Sequence, residues 1–129
     1  MTNPENLRYT KDHEWLRLEG DRATVGITEH AQHELGDVVF VELPQAGKTY
    51  KAGEAFGSVE SVKAVSEVYC PVSCEIVEVN EKLKDQPELV NAEPYGGGWM
   101  IRVRLLHPDE EAGLMSASDY SALVQQEAH

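Results

Sequence analysis

The chain has 129 residues, of which 23 are acidic and 11 are basic, and its formal net charge is −12. A chain of this length is the size of one domain, buries roughly two thirds of its unfolded surface and needs no disulfide or metal to hold it. The charge argues against nucleic-acid binding, because phosphates would be repelled. No apolar run approaches membrane-spanning length, and residues 1–6 lack the features of a secretory signal, so we expect a cytoplasmic protein that binds no membrane.

The first third of the chain predicts a β-hairpin followed by a short helix. Residues 14–19 and 22–27 alternate apolar and polar side chains, as expected for two strands with one buried face. Thr28 can then cap a helix through its side-chain oxygen, and Gly36 suits the residue after its end. A helix is therefore predicted over residues 29–35.

Further strands are predicted through the middle of the chain. Residues 38–43 are apolar on both faces, which predicts a strand covered on both sides. Three more short strands are predicted at 55–60, 65–69 and 75–79. Several short strands at this spacing indicate a mainly β sandwich or barrel.

The last third predicts one clear strand and two helices. From residue 99 to 105 apolar and basic residues alternate, which places Trp99 on the apolar face as a core anchor. Helices are predicted at 109–114 and 119–127, the second capped by Ser118.

The cysteines and histidines do not predict a metal site. Cys70 and Cys74 are spaced C-x3-C, which matches neither a C-x2-C metal motif nor a redox C-x-x-C motif, so two reduced thiols are expected. His30 and His33 could share one helix face, which makes a zinc site conceivable but gives it no further support. We expect no metal.

Lys63 is the most informative single residue, because no other Lys or Arg lies between Lys51 and Lys82. It falls in a predicted turn between two strands, where an ammonium group adds little stability. The flanking acids, Glu60 and Glu67, and the small neighbours, Val62 and Ala64, leave it accessible to an enzyme that acylates amines. A solvated surface lysine and a modification site are both compatible with these features.

Six motifs, taken together and in order, resemble the H proteins of the glycine cleavage system over nearly the whole chain. They are His-Glu-Trp at 13–15, Gly-Ile-Thr-Glu-His-Ala-Gln at 26–32, Gly-Asp-Val-Val-Phe-Val-Glu-Leu-Pro at 36–44, Glu-Ser-Val-Lys-Ala at 60–64, Glu-Leu-Val-Asn at 88–91 and Pro-Tyr-Gly-Gly-Gly-Trp at 94–99. The resemblance implies a mainly β barrel-sandwich hybrid of the lipoyl and biotinyl type, with short added helices. It implies one carrier domain over 1–129, with a core at about 14–106 and a C-terminal helical segment at 109–127.

The same resemblance implies that Lys63 carries lipoate in amide linkage and that the protein is a carrier without catalysis of its own. Its partners would be a glycine decarboxylase with pyridoxal phosphate, an aminomethyltransferase that uses tetrahydrofolate, a flavin-containing dihydrolipoyl dehydrogenase and a lipoylating enzyme. A monomer is expected, since a shuttle must leave each partner. The family's loaded arm folds into a surface cleft, and the matched positions here are Asp12, Glu14 and Glu67, which could equally be solvated acids.

Two positions depart from the family pattern. Cys74 stands where the family's Pro-Val-Ser-Gly turn has glycine, so either the turn differs or left-handed backbone strain is tolerated. An exposed Cys74 would be able to exchange with the lipoyl disulfide. Cys70 also replaces a small residue and is expected to be buried.

Four alternative functions compete with the one that this resemblance implies. Lipoyl domains of 2-oxo acid dehydrogenases typically carry Asp-Lys-Ala at the tip, and biotin carriers have methionines beside the lysine, whereas Val62 and Ala64 flank Lys63 here. A module without a cofactor would leave Lys63 unmodified. Carriers that relay lipoyl groups to other enzymes share these motifs, so glycine cleavage and lipoyl relay both remain open.

Overall fold

The computed structural model describes residues 3–127, which form two antiparallel β-sheets with short helices; residues 1, 2, 128 and 129 lie outside the described part. The strands are β1 Arg8–Tyr9, β2 Glu14–Glu19, β3 Arg22–Ile27, β4 Val38–Glu42, β5 Thr49–Tyr50, β6 Ala55–Ser61, β7 Val65–Tyr69, β8 Cys74–Val79 and β9 Ile101–Leu105. The helices are α1 Glu29–Leu35, α2 Lys82–Asp85, α3 Leu89–Ala92, the 3₁₀ helix Pro108–Gly113 and α4 Ala117–Glu127.

One sheet has six strands in the order β1-β2-β3-β9-β8-β5, and the other has three in the order β4-β6-β7. Neither sheet closes on itself among the described residues. This arrangement confirms the predicted mainly β fold with short helices, including one near the C-terminus. No helix within residues 3–127 combines the length and the apolar character needed to cross a bilayer.

The apolar side chains form two clusters. The larger one lies between the sheets and includes the buried faces of β3 and β9. The smaller one joins the β1–β2 hairpin to α4; it consists of Leu7, Tyr9, Trp15, Ala117 and Tyr120. The rings of Tyr9 and Tyr120 stack with centroids 4.6 Å apart, so α4 is packed against the sheet rather than free of it.

Helix α1 forms where the capping residues predicted it. Thr28 Oγ1 accepts a hydrogen bond from the amide of Ala31 at 3.2 Å, which satisfies one of the free donors at the start of the helix. Gly36 ends the helix with φ 79°, in the left-handed region that glycine adopts without a steric penalty.

The prediction that the 38–43 strand is covered on both faces was wrong. Val38 and Val41 are buried, but Val39 and Phe40 are 49% and 53% exposed. The pairing of β4 with β6 shifts register between Val38 and Phe40, so the strict alternation of faces is broken there. The three-stranded sheet therefore leaves two adjacent apolar side chains in contact with solvent.

Trp99 is not the core anchor that the alternation predicted. It is half-buried, with the Arg102 guanidinium 4.1 Å from its ring centroid, and Met100 is fully buried instead. The ladder of β9 begins at Ile101, and the carbonyl of Trp99 accepts a hydrogen bond from Asn80 Nδ2 at 2.8 Å.

The last helices also differ in their bounds. Residues 108–113 form a 3₁₀ helix, and α4 begins at Ala117, two residues earlier than predicted. The cap is Ser116 rather than Ser118: Ser116 Oγ accepts from the amide of Asp119 at 3.2 Å.

Gly57 allows β6 to approach β4 closely. A Cβ atom at this position would collide with the carbonyl oxygen of Glu42 on the neighbouring strand. Because that atom belongs to the backbone, no side-chain rotation could relieve the overlap. The close approach holds in place the β6–β7 hairpin, whose tip carries Lys63.

Candidate functional site

The tip of the β6–β7 hairpin is organised by Ser61, a residue that the sequence reasoning missed. Its amide donates to the carbonyl of Ala64 at 2.8 Å. Its buried hydroxyl accepts from the amides of Lys63 at 3.3 Å and Ala64 at 3.1 Å. A serine at the start of a turn is a known signal for this type of bond, so it could have been found from the sequence.

The tip is also attached to the segment that follows α1. The amide of Val62 donates to the carbonyl of Asp37 at 3.0 Å. Asn91, on α3, fixes that segment from the other side: its Oδ1 accepts from the amide of Val38 at 2.8 Å and its Nδ2 donates to the carbonyl of Gly36 at 2.9 Å. The backbone under Lys63 is therefore anchored at several points.

The side chain of Lys63 is exposed and passes beside Gly36. A Cβ atom added to Gly36 would lie 3.4 Å from Lys63 Cε, an ordinary van der Waals distance, so the lysine side chain lies over this glycine. Val62 and Val65 are 69% and 68% exposed on either side of it. Glu60 and Ala64 are also exposed, so the ammonium group is accessible from the tip.

A cleft with a volume of about 560 Å³ begins next to Lys63, and its size is typical of a small-molecule site. It lies between the β1–β2 turn, α1, β7 and the end of α4. Ala64, the residue after the lysine, is part of its lining, as are all three acids chosen from the sequence, Asp12, Glu14 and Glu67. The fold thus brings together, beside Lys63, residues that are more than 50 positions apart.

Glu14 differs from the other two acids because it is only 2% exposed. The Thr10 hydroxyl donates to its Oε1 at 2.6 Å and the amide of Tyr69 donates to its Oε2 at 3.2 Å. Burial raises the pKa of Glu14 to about 7, although these two hydrogen bonds act in the opposite direction. The alternative of an ordinary solvated acid is therefore wrong for Glu14, whereas Asp12 and Glu67 are exposed.

His13, which the sequence reasoning did not select, also lines the cleft. Its φ of 69° lies in the left-handed region, where the turn after Thr10 reverses the chain into β2. Its Nδ1 lies 2.7 Å from the Tyr120 hydroxyl and its Nε2 lies 3.0 Å from Glu127 Oε1. Burial lowers its pKa. No local pattern could predict contacts across more than 100 residues.

The hypothesis of an exposed, exchanging Cys74 was wrong. Cys70 and Cys74 are 2% and 1% exposed, with their sulfur atoms 3.8 Å apart. Cys74 is the first residue of β8 and pairs with Leu105. Among the described residues other than glycine, only His13 has a positive φ, so the turn before β8 avoids the strain considered for it. Burial of Cys70 is confirmed.

Comparisons with known proteins agree with this architecture. The family model described as "Glycine cleavage H-protein" matches residues 7–127. The glycine cleavage system H protein of Rubrobacter xylanophilus is 58% identical over 124 residues, covering 96% of each chain. That of Herpetosiphon aurantiacus is 56% identical over 130 residues, covering 100% of this chain and 99% of the relative.

A solved structure shows the same fold. The crystal structure of a glycine cleavage system H protein from Mycobacterium marinum superposes with a TM-score of 0.84 at 41% sequence identity, covering 93% of this chain and 97% of that one. The chain therefore belongs to the glycine cleavage H-protein family.

Proposed function

We propose that Lys63 carries lipoate in amide linkage and that the protein is the non-catalytic lipoyl carrier of a cytoplasmic glycine cleavage system. Family membership supports the carrier role. The observation that carries the choice of residue is the position of Lys63, at an exposed hairpin tip with the cleft beginning at its neighbour Ala64.

The residues around Lys63 fit an attached lipoyl group. A lipoylating enzyme needs an amine that it can surround, and the tip offers an anchored backbone and accessible flanks. The exposed apolar side chains of Val62 and Val65 suit contact with an aliphatic chain. When attached, lipoate supplies a strained disulfide that accepts a carbon unit on one sulfur.

The cleft acids would hold the amine of the aminomethyl group that such a system moves. Asp12 and Glu67 are exposed, so each would attract a cation by about 1 kcal/mol at contact distance in water. Glu14, whose pKa burial raises to about 7, is partly ionised near neutral pH, and its ionised form lies in a drier place, where the same attraction is larger. Together the three groups would keep the amine away from bulk solvent and slow its hydrolytic loss.

The partners in this proposal follow from the carrier role. A glycine decarboxylase with pyridoxal phosphate, a tetrahydrofolate-dependent aminomethyltransferase and a flavin-containing dihydrolipoyl dehydrogenase would each receive the tip in turn. A monomer suits such successive encounters. The net charge of −12 would speed association with basic surfaces and make it sensitive to salt.

Intact mass measurement tests the assignment directly. The full chain would be co-expressed with a lipoylating enzyme and lipoate, alongside Lys63→Arg and a matched control, Lys51→Arg, at another exposed lysine. The wild type and the control should gain the mass of one lipoyl group, and Lys63→Arg should gain none. A gain that persists in Lys63→Arg, or no gain in the wild type, would contradict the proposal.

Reconstitution with a glycine decarboxylase tests the function separately from the modification. Lipoylated protein should support glycine-dependent release of carbon dioxide, and Lys63→Arg should not. A lipoylated protein that fails here but passes its lipoyl group to other enzymes would favour the relay alternative.

A further inference from the structure

His13, His30 and Glu127 form a compact group of potential metal ligands at the edge of the cleft. His13 Nε2 lies 3.0 Å from Glu127 Oε1, and His30 Nε2 lies 3.6 Å from the same oxygen. One ligand atom from each residue lies within 4.8 Å of the other two. In a tetrahedral zinc site with bonds of about 2.0–2.1 Å, ligand atoms are separated by about 3.3 Å, so small side-chain rotations suffice to enclose an ion.

The three residues come from parts of the fold that are held in place independently. His13 lies in the turn before β2, His30 in α1 and Glu127 at the end of α4. His30 is 8% exposed, and the two imidazole rings have their centroids 4.7 Å apart. The turn, α1 and the start of α4 are fixed by packing elsewhere, so these rings are positioned before any ion arrives.

A supporting hydrogen bond orients His13. Its Nδ1 is paired with the Tyr120 hydroxyl at 2.7 Å, and that hydroxyl is paired with Thr28 Oγ1 at 2.6 Å. Since both hydroxyls can donate or accept, Nδ1 can keep its proton and leave the Nε2 lone pair free for a metal. Outer contacts of this kind accompany most metal-ligating histidines in proteins.

We propose that His13, His30 and Glu127 bind one divalent ion of the zinc class, which ties α4 to α1 and to the β1–β2 turn beside the cleft. Two imidazoles and one carboxylate are a donor set that zinc accepts, and they exclude magnesium and calcium, which prefer oxygen alone. Glu34 Oε1, 3.8 Å from His30 Nε2, is available as a fourth ligand, and water can serve instead. From the sequence, His30 was paired only with His33, and no metal was expected. His33 is exposed on the same helix and is not one of the three ligands proposed here.

Calorimetric titration with zinc chloride tests the site in the untagged, unlipoylated full chain after removal of metals. Without the lipoyl group, the outcome is independent of the proposed carrier function. One equivalent should bind, zinc should raise the melting temperature, and cobalt should give the visible spectrum of a four-coordinate site with nitrogen and oxygen ligands.

The variants identify the ligands. His30→Gln and Glu127→Gln should each weaken zinc binding by at least about a hundredfold, and Tyr120→Phe by about tenfold. His33→Gln, the matched control on α1, should bind as the wild type does. Glu127 is 40% exposed, so its variant keeps the fold, and far-ultraviolet circular dichroism checks this for each protein. No stoichiometric binding by the wild type, or wild-type affinity in both His30→Gln and Glu127→Gln, would overturn the proposal.

Discussion

Replacement of Glu14 by Gln tests whether the cleft holds a carboxyl group that is protonated near neutral pH. Burial raises the pKa of Glu14 from 4.5 to about 7. The folded protein therefore holds this proton more tightly than the unfolded chain does. The stability that the protonated Glu14 contributes to the folded protein is fully present below pH 4.5 and is lost as pH rises through about 7. At about 1.4 kcal/mol for each pKa unit, the free energy of unfolding should fall by about 3 kcal/mol over this range.

Urea unfolding between about pH 5 and about pH 9 measures this effect, with tryptophan fluorescence as the signal and a chelator present to exclude metals. Gln cannot ionise, so the difference in unfolding free energy between wild type and variant should change by about 3 kcal/mol over this pH range. His13, whose pKa burial lowers, has the opposite dependence, but it is present in both proteins and cancels in the difference.

Glu67→Gln is the control, because Glu67 lines the same cleft but is exposed. Its difference from the wild type should vary by less than about 0.5 kcal/mol over the same pH range. A Glu14→Gln difference that is equally constant would refute the reasoning. It would mean that solvent or rearrangement stabilises the Glu14 carboxylate in the folded protein.

Three further results are expected. Asn91→Ala removes the hydrogen bonds that hold the segment under the hairpin tip. In urea titrations it should lower the free energy of unfolding by about 2–3 kcal/mol, and a loss below about 0.5 kcal/mol would count against this role of Asn91. Gly57→Ala should lower the melting temperature far more than Gly113→Ala, since a Cβ at Gly113 meets no atom within 4 Å; equal shifts would contradict the steric argument. Cys70 and Cys74 should react with an aromatic disulfide reagent only as fast as the protein unfolds, and rapid reaction in native buffer would contradict their burial.

Local signals in the sequence predicted most of the regular structure. The bounds of β2, β3, β7 and α1 agree with the prediction. Alternating side chains mark β2 and β3, capping residues mark α1, and valines between two turns mark β7. The very short elements β1, β5, α2 and α3 were missed. With two to four residues each, they span about one period of a strand or helix pattern, too little for a repeat to be recognised, and they form because tertiary contacts hold them.

The parts of the site that a single residue or motif marks could be predicted from the sequence. The parts formed by contacts between residues far apart in the chain could not. Lys63 could be predicted because no other basic residue is near it in the sequence and because it lies in the Glu-Ser-Val-Lys-Ala motif. The buried state of Glu14 depends on Thr10, four residues away, and on the amide of Tyr69, 55 residues away. The pairing of His13 with Glu127 spans 114 residues. Such contacts are decided by the packing of sheets and helices, which no local periodicity describes.

The C-terminal helix is part of the cleft and not an addition to a core that ends at about residue 106. Tyr120 is fully buried against Tyr9, and its hydroxyl contacts both His13 and Thr28, which caps α1. Removing α4 would expose the aromatic cluster to water and leave those two groups without their partner. Burial of a single large side chain is worth about 1.5–3 kcal/mol, and a buried hydroxyl left unpaired costs about 1–3 kcal/mol. The position of the β1–β2 turn, and with it the buried state of Glu14, therefore depends on a helix more than 100 residues further along the chain.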